Sequence, residues 1–197
     1  MQIAVMIMAA GEGKRFGGCK LLSELDASHS ILSHAVEMAT ASQIGPVFVV
    51  TGRWHNEIAE AQRLGLLAQV PLYYCSQWAQ GLGSSIAHGT QILAADFDAM
   101  MITLADQVAL SSQDFKQFAV SATPEHIVCA RYNNRRGVPA LFPASCFSQL
   151  TQCAGEHGAR HLLRSHSFPV HEIPLPHAAY DIDTQEALAD WRHRSQR

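Results

Sequence analysis

Short apolar runs alternate with amphipathic segments through the first two thirds of the chain. The continuous apolar runs predict buried strands at 3–8, 46–51, 70–75 and 99–104. Helical periodicity between them predicts helices at 31–41, 56–67 and 84–95. A further helix should begin near residues 111–114, where Ser111 and Asp114 suit an N-terminal cap, and it should turn Phe115 and Phe118 inward.

This alternation predicts an α/β fold of three Rossmann-like layers, in which a mostly parallel central sheet carries helices on both faces. The last third is less regular, with strands predicted at 126–130 and 138–142 and helices at 158–164 and 184–194. Because no linker or repeat divides the chain, we expect one domain over residues 1–197. Ligands of such sheets bind beyond the carboxyl ends of the strands, so the segments after Met8, Cys75 and Leu104 are candidate sites.

Composition narrows the class of protein. The net charge of −3 argues against a broad electrostatic grip on nucleic acid or on an anionic membrane. The sequence shows neither a secretion signal nor an apolar run long enough to span a bilayer. The five cysteines form no CxxC pair, and their odd number excludes a complete disulfide framework. We expect reduced thiols in a cytoplasmic protein, and we interpret most of the scattered histidines as surface or outer-shell groups.

A glycine-rich, basic loop at residues 8–20 (MAAGEGKRFGGCK) directly follows the first strand. Its small residues let backbone amides approach phosphate oxygens closely, and three basic side chains add positive charge. The Rossmann pattern GxGxxG fails because Phe16 replaces its last glycine, and the Walker pattern fails because Cys19 precedes Lys20. The loop therefore predicts a polyphosphate site of another kind, although glycine-rich turns also occur without ligands.

The same run resembles the LxxGxGxRxG signature, followed by lysine, of nucleotidyltransferases with a GT-A-like fold. It is similar more narrowly to molybdenum cofactor cytidylyltransferases, whose loop is LAAGxSxRFG. The resemblance implies that Arg15 holds the β- and γ-phosphates and that Lys20 neutralises charge at the α-phosphate. The nucleotide-binding residues that it implies in this loop are Ala9, Ala10, Gly11, Gly13, Arg15 and Lys20.

A second block, residues 78–89 (WAQGLGSSIAHG), resembles the WxxGxxxSxxxG block of the same family. There the resemblance implies contacts with the nucleotide through Gly83, Ser84 and Ser85. A Gly-Ser turn at a helix start offers free N–H donors and hydroxyls, which suits the edge of a pyrimidine. The alternative from the residues alone is that Ser84 simply caps the helix.

Two acidic blocks complete the predicted catalytic centre. Residues 104–107 (LADQ) resemble the family's LADQP, and residues 181–184 (DIDT) resemble D[IV]DTPEDL. The resemblance implies that Asp106 and Asp183 bind Mg²⁺ and that Asp106 acts with Arg15 and Lys20 in catalysis. The alternatives are that Asp106 caps a turn and that Asp183 or Thr184 caps the last helix.

Two further blocks resemble the acceptor side of the family. Residues 137–142 (GVPALF) match GxPxLF and residues 155–160 (GEHGAR) match GDxGAR. They imply acceptor contacts from Gly137, Pro139, Glu156 and Arg160, and Arg160 could pair with an acceptor phosphate. An exposed arginine is more often a solvated surface group, which is the alternative for Arg160.

The resemblance thus implies that CMP is transferred from CTP to the terminal phosphate of molybdenum cofactor (molybdopterin), with release of pyrophosphate. CTP and the cofactor would be the small-molecule substrates, Mg²⁺ the metal, and a molybdoenzyme the partner that receives the product. One alternative keeps the chemistry with a sugar or polyol phosphate as acceptor. Another is a non-catalytic cofactor carrier, which the departures at Val108, Glu156 and Gln185 leave open and which intact Lys20 and Asp106 argue against.

Overall fold

The computed structural model describes residues 1–195; residues 196 and 197, which the predicted domain includes, lie outside the described residues. Within that range seven strands form one sheet, namely β1 (Ile3–Ala9), β2 (Val47–Thr51), β3 (Leu72–Tyr74), β4 (Ala99–Leu104), β5 (Ile127–Tyr132), β6 (Arg135–Pro143) and β7 (Val170–Pro174). The helices are α1 (Ile31–Ser42), α2 (His55–Arg63), α3 (Leu82–Leu93), α4 (Ser112–Val120), α5 (Phe147–Leu150), α6 (Arg160–Arg164) and α7 (Gln185–Ser195). In that part of the chain, no helix combines the length and the apolar character needed to cross a bilayer.

The strand order is β3-β2-β1-β4-β6-β5-β7. The pairs β3–β2, β2–β1, β1–β4 and β5–β7 are parallel, whereas β6 runs antiparallel to both β4 and β5. The sheet is therefore mostly parallel, as predicted. The exception is β6, which follows β5 through a hairpin whose two turn residues Asn133 and Asn134 both have positive φ, as a tight two-residue turn requires.

Helices cover both faces of the sheet, which confirms the three-layer prediction. All seven residues of β1 are buried, as expected for a strand that is covered on both sides. Val5 and Ile7 join a core cluster with residues of α1, α2 and α4. Ala4 and Met6 join the cluster on the opposite face, with residues of α3, α5 and α6.

The predicted start of the fourth helix is confirmed in detail. Ser111 is its N-cap, and the Ser111 and Asp114 side chains exchange hydrogen bonds with each other's backbone amides in a capping box. Phe115 and Phe118 are both buried in the core, as expected. A second capping box, between Ser30 and Ser33, starts α1.

Several predicted boundaries are wrong. The helix α2 ends at Arg63 rather than at residue 67, and Gly65 beyond it has the left-handed conformation that commonly ends helices. The helix α6 begins at Arg160 rather than at residue 158, because Gly158 also has a positive φ. Strand β3 is shorter than predicted, and β7 was not predicted, since its sequence VHEIP is short and lacks a continuous apolar run.

All five cysteines are free thiols, in keeping with the prediction. Burial raises the pKa of Cys129 to about 12 and that of Cys146 to about 11. These two thiols stay protonated at neutral pH, so they act as small apolar core residues.

Candidate active site

A cleft of about 410 Å³ opens beyond the carboxyl ends of β1 and β4. The structure brings together here the three segments that follow Met8, Cys75 and Leu104. The cleft is lined by Met8, Ala9, Ala10, Gly11, Glu12, Gly13, Lys14, Arg15, Lys20, Leu21, Trp78, Ala79, Gly81, Leu82, Ser85, Leu104, Asp106, Glu156 and Asp183. The glycine-rich loop, the two acids Asp106 and Asp183 and the two basic residues Arg15 and Lys20 of the predicted site thus share one concave surface.

The glycine-rich loop is a compact turn whose shape depends on Gly13. This residue has φ +71°, and its carbonyl oxygen accepts hydrogen bonds of 3.0 Å from the amides of Phe16 and Gly17. A Cβ atom at position 13 would lie 2.7 Å from the Gly18 carbonyl oxygen, which is closer than real Cβ atoms approach. Position 11, by contrast, has open space where a side chain would project. Glycine at 13 is therefore required by the turn itself.

Neighbouring segments hold this loop in place. The indole Nε1 of Trp54 donates a 2.9 Å hydrogen bond to the Glu12 carbonyl, a role that the sequence did not predict. The side-chain amide of Gln185 donates a 3.3 Å bond to the Phe16 carbonyl. Gln185 stands where the family pattern has proline, so this departure adds a contact that proline could not make.

The floor of the cleft is an ion cluster centred on Lys20. Its ammonium donates to Asp106 Oδ2 at 2.6 Å, to Asp183 Oδ1 at 2.9 Å and to the Ile182 carbonyl at 2.8 Å. The Lys20 and Asp106 side chains are only 13% and 17% exposed. At the rim, Arg15 Nη2 donates to Asp183 Oδ2 at 2.6 Å, although the Arg15 side chain is 73% exposed. Lys20 is thus held by three acceptors, and Arg15 by one.

These contacts fix the charges of the cluster. Burial lowers the pKa of Lys20, but the Asp106 and Asp183 carboxylates outweigh it, so that the pKa is raised overall. Burial raises the pKa of Asp183, but the hydrogen bond and charge of Lys20 and the charge of Arg15 bring it below its usual value. Lys20 and Asp183 therefore stay charged throughout the neutral range.

Asp106 and Asp183 could together hold a divalent cation. Both carboxylates lie within 2.9 Å of the Lys20 ammonium, so they already face one positive charge. The Oδ1 atom of Asp106 is buried and has no hydrogen-bond partner among the described residues. A buried, unpaired carboxylate oxygen is costly unless a ligand or an ion satisfies it. Paired carboxylate oxygens are ligands that Mg²⁺ prefers.

Asp181 is a member of this acidic group that sequence reasoning did not assign. Partial burial, followed by the charges of Asp183 and Asp106, raises its pKa. The signal was present in the D-x-D spacing of Asp181 and Asp183, which places two acids within one short extended segment.

Neither acid acts as a cap, and of the capping alternatives only the one that assigns the cap of the last helix to Thr184 is correct. Asp106 Oδ2 accepts from Lys20 and its Oδ1 has no partner in the described part of the chain, so Asp106 caps no turn. The last helix is capped by Thr184, whose hydroxyl oxygen accepts a 3.2 Å bond from the amide of Ala187. Asp183 is thus left facing Lys20 and Arg15.

The residues predicted to contact the nucleotide around α3 divide into two groups. All three are buried, but Ser85 lines the cleft, whereas Gly83 and Ser84 do not. The Gly83 amide donates a 2.8 Å bond to the Gly155 carbonyl, and a Cβ atom there would lie 2.5 Å from Ala154. The idea that Ser84 caps the helix is wrong, because α3 begins at Leu82 and its N-cap is Gly81.

A second cleft of about 150 Å³ adjoins the first, and Leu82 and Leu104 line both. Its polar lining is strongly basic, with Arg135, Arg136, Arg160 and Arg164. Of the predicted acceptor residues, Gly137 and Arg160 line this cleft. Glu156 lines the first cleft, and Pro139 is buried within β6 and lines neither.

Gln107 lines the second cleft and is held by three hydrogen bonds. Its buried side-chain amide donates to the Val138 carbonyl at 2.9 Å and to the Ala178 carbonyl at 2.8 Å. Its Oε1 accepts a 3.4 Å bond from the Leu104 amide. Gln107 thereby ties the end of β4 to β6 and to the segment before α7, which carry the second cleft and Asp183.

Comparisons with known proteins agree with this geometry. Residues 5–170 match the MobA-like NTP transferase domain. The purine catabolism protein PucB of Bacillus subtilis is 29% identical over 168 residues, which are 81% of this chain and 80% of PucB.

Solved structures show the same fold. A nucleotidyl transferase from Methanothermobacter superposes with a TM-score of 0.82 at 18% identity, over 98% of this chain and 97% of its own. Molybdopterin-guanine dinucleotide biosynthesis protein A from Archaeoglobus fulgidus gives 0.67 at 14% identity, over 100% and 99%. The fold is thus the GT-A-like fold of nucleotidyltransferases, and the chain belongs to the family with a MobA-like NTP transferase domain.

Proposed function

We propose that this nucleotidyltransferase-family protein transfers CMP from CTP to the terminal phosphate of molybdenum cofactor, releases pyrophosphate and uses Mg²⁺. The observation that carries the proposal is Lys20, held between Asp106 and Asp183 on the floor of a glycine-lined cleft. Nucleotidyl transfer depends on positioning and charge neutralisation rather than on a covalent intermediate. A buried cation between two acids, beside a loop of free amides, supplies both.

Asp106 and Asp183 are the residues that would hold Mg²⁺. The fit rests on two facing carboxylates and on the buried Asp106 Oδ1, which lacks a partner in the described residues. When bound, the ion supplies charge neutralisation and orientation of the phosphate oxygens. Few protein ligands are an advantage here, because Mg²⁺ usually keeps waters and phosphate oxygens in its coordination shell.

The protein's own groups divide the rest of the work. Backbone amides around Gly11 approach the triphosphate, and open space beyond that residue leaves them accessible. Arg15 exchanges its exposed pair with Asp183 for the β- and γ-phosphates, which form stronger bidentate contacts. Lys20, already fixed by three acceptors, stabilises the charge that grows at the α-phosphate. The attacking phosphate monoester is ionised near pH 7, so no general base is needed.

The choice of acceptor is supported by the second cleft. This cleft contains arginines and adjoins the first at Leu104, so an acceptor phosphate bound by Arg160 could approach the triphosphate from that side. The Archaeoglobus relative is named for molybdopterin-guanine dinucleotide biosynthesis, and the molybdopterin of that name favours a molybdopterin acceptor over a sugar or polyol phosphate. The preference for cytosine is supported by the Ala9–Ala10 pair of the loop, both members of which line the cleft.

The experiment incubates the protein with Mg²⁺ and each of CTP, GTP and ATP, with and without molybdenum cofactor, and follows pyrophosphate. Release only with CTP and the cofactor together is the expected result. Release with GTP and the cofactor would contradict the proposed preference for cytosine. Release with CTP and a sugar or polyol phosphate would contradict the proposed acceptor. Tight nucleotide binding without release for any pair would indicate the carrier.

A further inference from the structure

Asp26, His29 and His34 lie close together where the loop after the glycine-rich segment enters α1. One potential ligand atom from each lies within 4.8 Å of those of the other two. The His29 Nδ1 atom is 3.0 Å from Asp26 Oδ1. Asp26 itself is fixed, because the same oxygen accepts hydrogen bonds of 2.8 and 2.9 Å from the backbone amides of Ser28 and His29. None of the three lines the nucleotide cleft.

Each histidine of this cluster also has an outer partner. The Nε2 atom of His29 lies 2.6 Å from Glu37 Oε2, and the Nε2 atom of His34 lies 3.1 Å from the Val108 carbonyl oxygen. A carbonyl oxygen only accepts, so Nε2 of His34 carries the hydrogen, and in the neutral ring Nδ1 keeps its lone pair. Histidines that bind metals usually donate their second N–H to a carboxylate or a backbone carbonyl in this way.

We propose that Asp26, His29 and His34 bind one Zn²⁺ ion or a similar divalent transition-metal ion, with water completing its coordination. Two imidazoles and a carboxylate are a ligand set that suits Zn²⁺ and is unlike the all-carboxylate pair of the cleft. In a tetrahedral site with bonds of about 2.0 Å, ligand atoms are about 3.3 Å apart. Asp26 and His29 already meet this spacing, and the third ligand atom needs to move by at most about 1.5 Å.

The surroundings of the cluster leave a path for the ion and connect the cluster to the turn that carries Asp106. His29 and Glu37 line a groove that is open to solvent, so a hydrated cation reaches the cluster directly. His34 connects the cluster to Val108, two residues beyond Asp106. A bound cation would therefore stabilise the loop before α1 and its contact with the turn that carries Asp106. Without metal, the His29 ring lies between Asp26 and Glu37, with Nδ1 at 3.0 Å from Asp26 Oδ1 and Nε2 at 2.6 Å from Glu37 Oε2.

The test uses the full chain stripped with a chelator. It is titrated with Zn²⁺ by calorimetry and with Co²⁺, whose visible absorption reports tetrahedral coordination, at excess Mg²⁺. The expected result is one Zn²⁺ per chain with micromolar or tighter affinity, a tetrahedral Co²⁺ band and a raised melting temperature. His29→Gln and Asp26→Asn should each abolish the band, and Glu37→Gln should weaken Zn²⁺ by about 10–100-fold.

Two variants serve as controls. His166→Gln changes an exposed histidine outside the cluster and should bind Zn²⁺ normally. Asp106→Ala removes an acid of the cleft and should also keep Zn²⁺ binding. Absence of a tetrahedral band in the unaltered chain would overturn the site, whether or not any variant folds. Loss of Zn²⁺ in Asp106→Ala, with retention in His29→Gln, would assign the metal to the cleft and would overturn it equally.

Discussion

The backbone amide of Ile182 donates a hydrogen bond of 3.0 Å to the carbonyl oxygen of Asp106. The bond joins the turn after β4 to the segment before α7, and it sets the next residue, Asp183, beside the Asp106 carboxylate. Because only backbone atoms take part, this frame is independent of either acidic side chain. Substitutions of the acids therefore test the chemistry of the site more than the folding of the chain.

Lys20→Met removes the cation that separates Asp106 from Asp183. Asp106 then loses its cationic partner and Asp183 keeps only the exposed Arg15, so the metal-free protein should lose about 3 kcal/mol, at the lower end of the range for broken buried pairs. Its melting temperature should fall by about 6–12 °C. Mg²⁺ should restore much of this stability, since it can occupy the place between the acids, but it should not restore turnover.

Scanning calorimetry with and without Mg²⁺, beside pyrophosphate release, checks this prediction. Lys116→Met, which changes a lysine on α4 outside the cleft, is the matched control and should alter neither quantity. Full activity in Lys20→Met would show that Lys20 only balances charge.

Trp54→Phe keeps an aromatic ring but deletes the hydrogen bond to the Glu12 carbonyl. A loop that is held less firmly binds the triphosphate more weakly, at a cost of about 1 kcal/mol. We expect KM for the nucleotide to rise about fivefold while kcat changes little. Steady-state kinetics measures both. Trp191→Phe, on α7 beside Tyr180, is the control and should leave KM unchanged. A fall in kcat alone would contradict the assigned role.

Gln107→Leu removes the amide that joins β6 to the segment before α7 and leaves the Val138 and Ala178 carbonyls without their side-chain donor. Burying those unpaired groups should destabilise the protein by about 1–3 kcal/mol. Chemical denaturation should show this loss as a lower midpoint at constant m-value. The same substitution at the exposed Gln91 of α3 should change the free energy of unfolding by less than about 0.5 kcal/mol.

Asp181→Asn should stabilise the metal-free protein at neutral pH. Burial and the charges of Asp183 and Asp106 raise the folded-state pKa of Asp181 above its unfolded value of about 3.9. Stability is therefore lost as pH rises from the unfolded towards the folded pKa, and it stays lost above both. The variant should melt higher at pH 7, by about 1–3 °C for this partly exposed group, and like the parent near pH 3.

Asp183→Asn should change the melting temperature at pH 7 in the opposite direction. The pKa of Asp183 is lowered, so its contribution is present above about pH 4 and is lost as pH falls through the folded value. That variant should melt lower at pH 7. Melting curves of both variants at pH 7 and near pH 3 test these two predictions. A shift of both variants in the same direction at pH 7 would contradict the assigned charges.

The sequence predicts the sheet and the loop after its first strand well, because one local pattern governs each. The apolar run of β1 and the glycine-rich loop after it are contiguous in sequence, as is the capping box of Ser111 and Asp114. Gly13 is required by a turn that closes within four residues. Such features need no knowledge of the rest of the chain.

Contacts between distant segments were harder to predict. The bond of Trp54 to Glu12 and the packing of Gly83 against Ala154 depend on how separate loops meet. Both glycine and tryptophan have several common roles, so residue type alone does not select among them. The Asp26, His29 and His34 cluster is local in sequence, but a loop residue and two histidines five positions apart match no linear metal motif.

The central claim is that Lys20, Asp106 and Asp183 form a nucleotidyl-transfer centre, and one comparison tests it most directly. Pyrophosphate release is measured with Mg²⁺, CTP and molybdenum cofactor for the parent protein and for Asp106→Ala, with circular dichroism to verify the fold. We expect release by the parent and none by the variant, with the same fold in both. Undiminished release by a folded Asp106→Ala would contradict it.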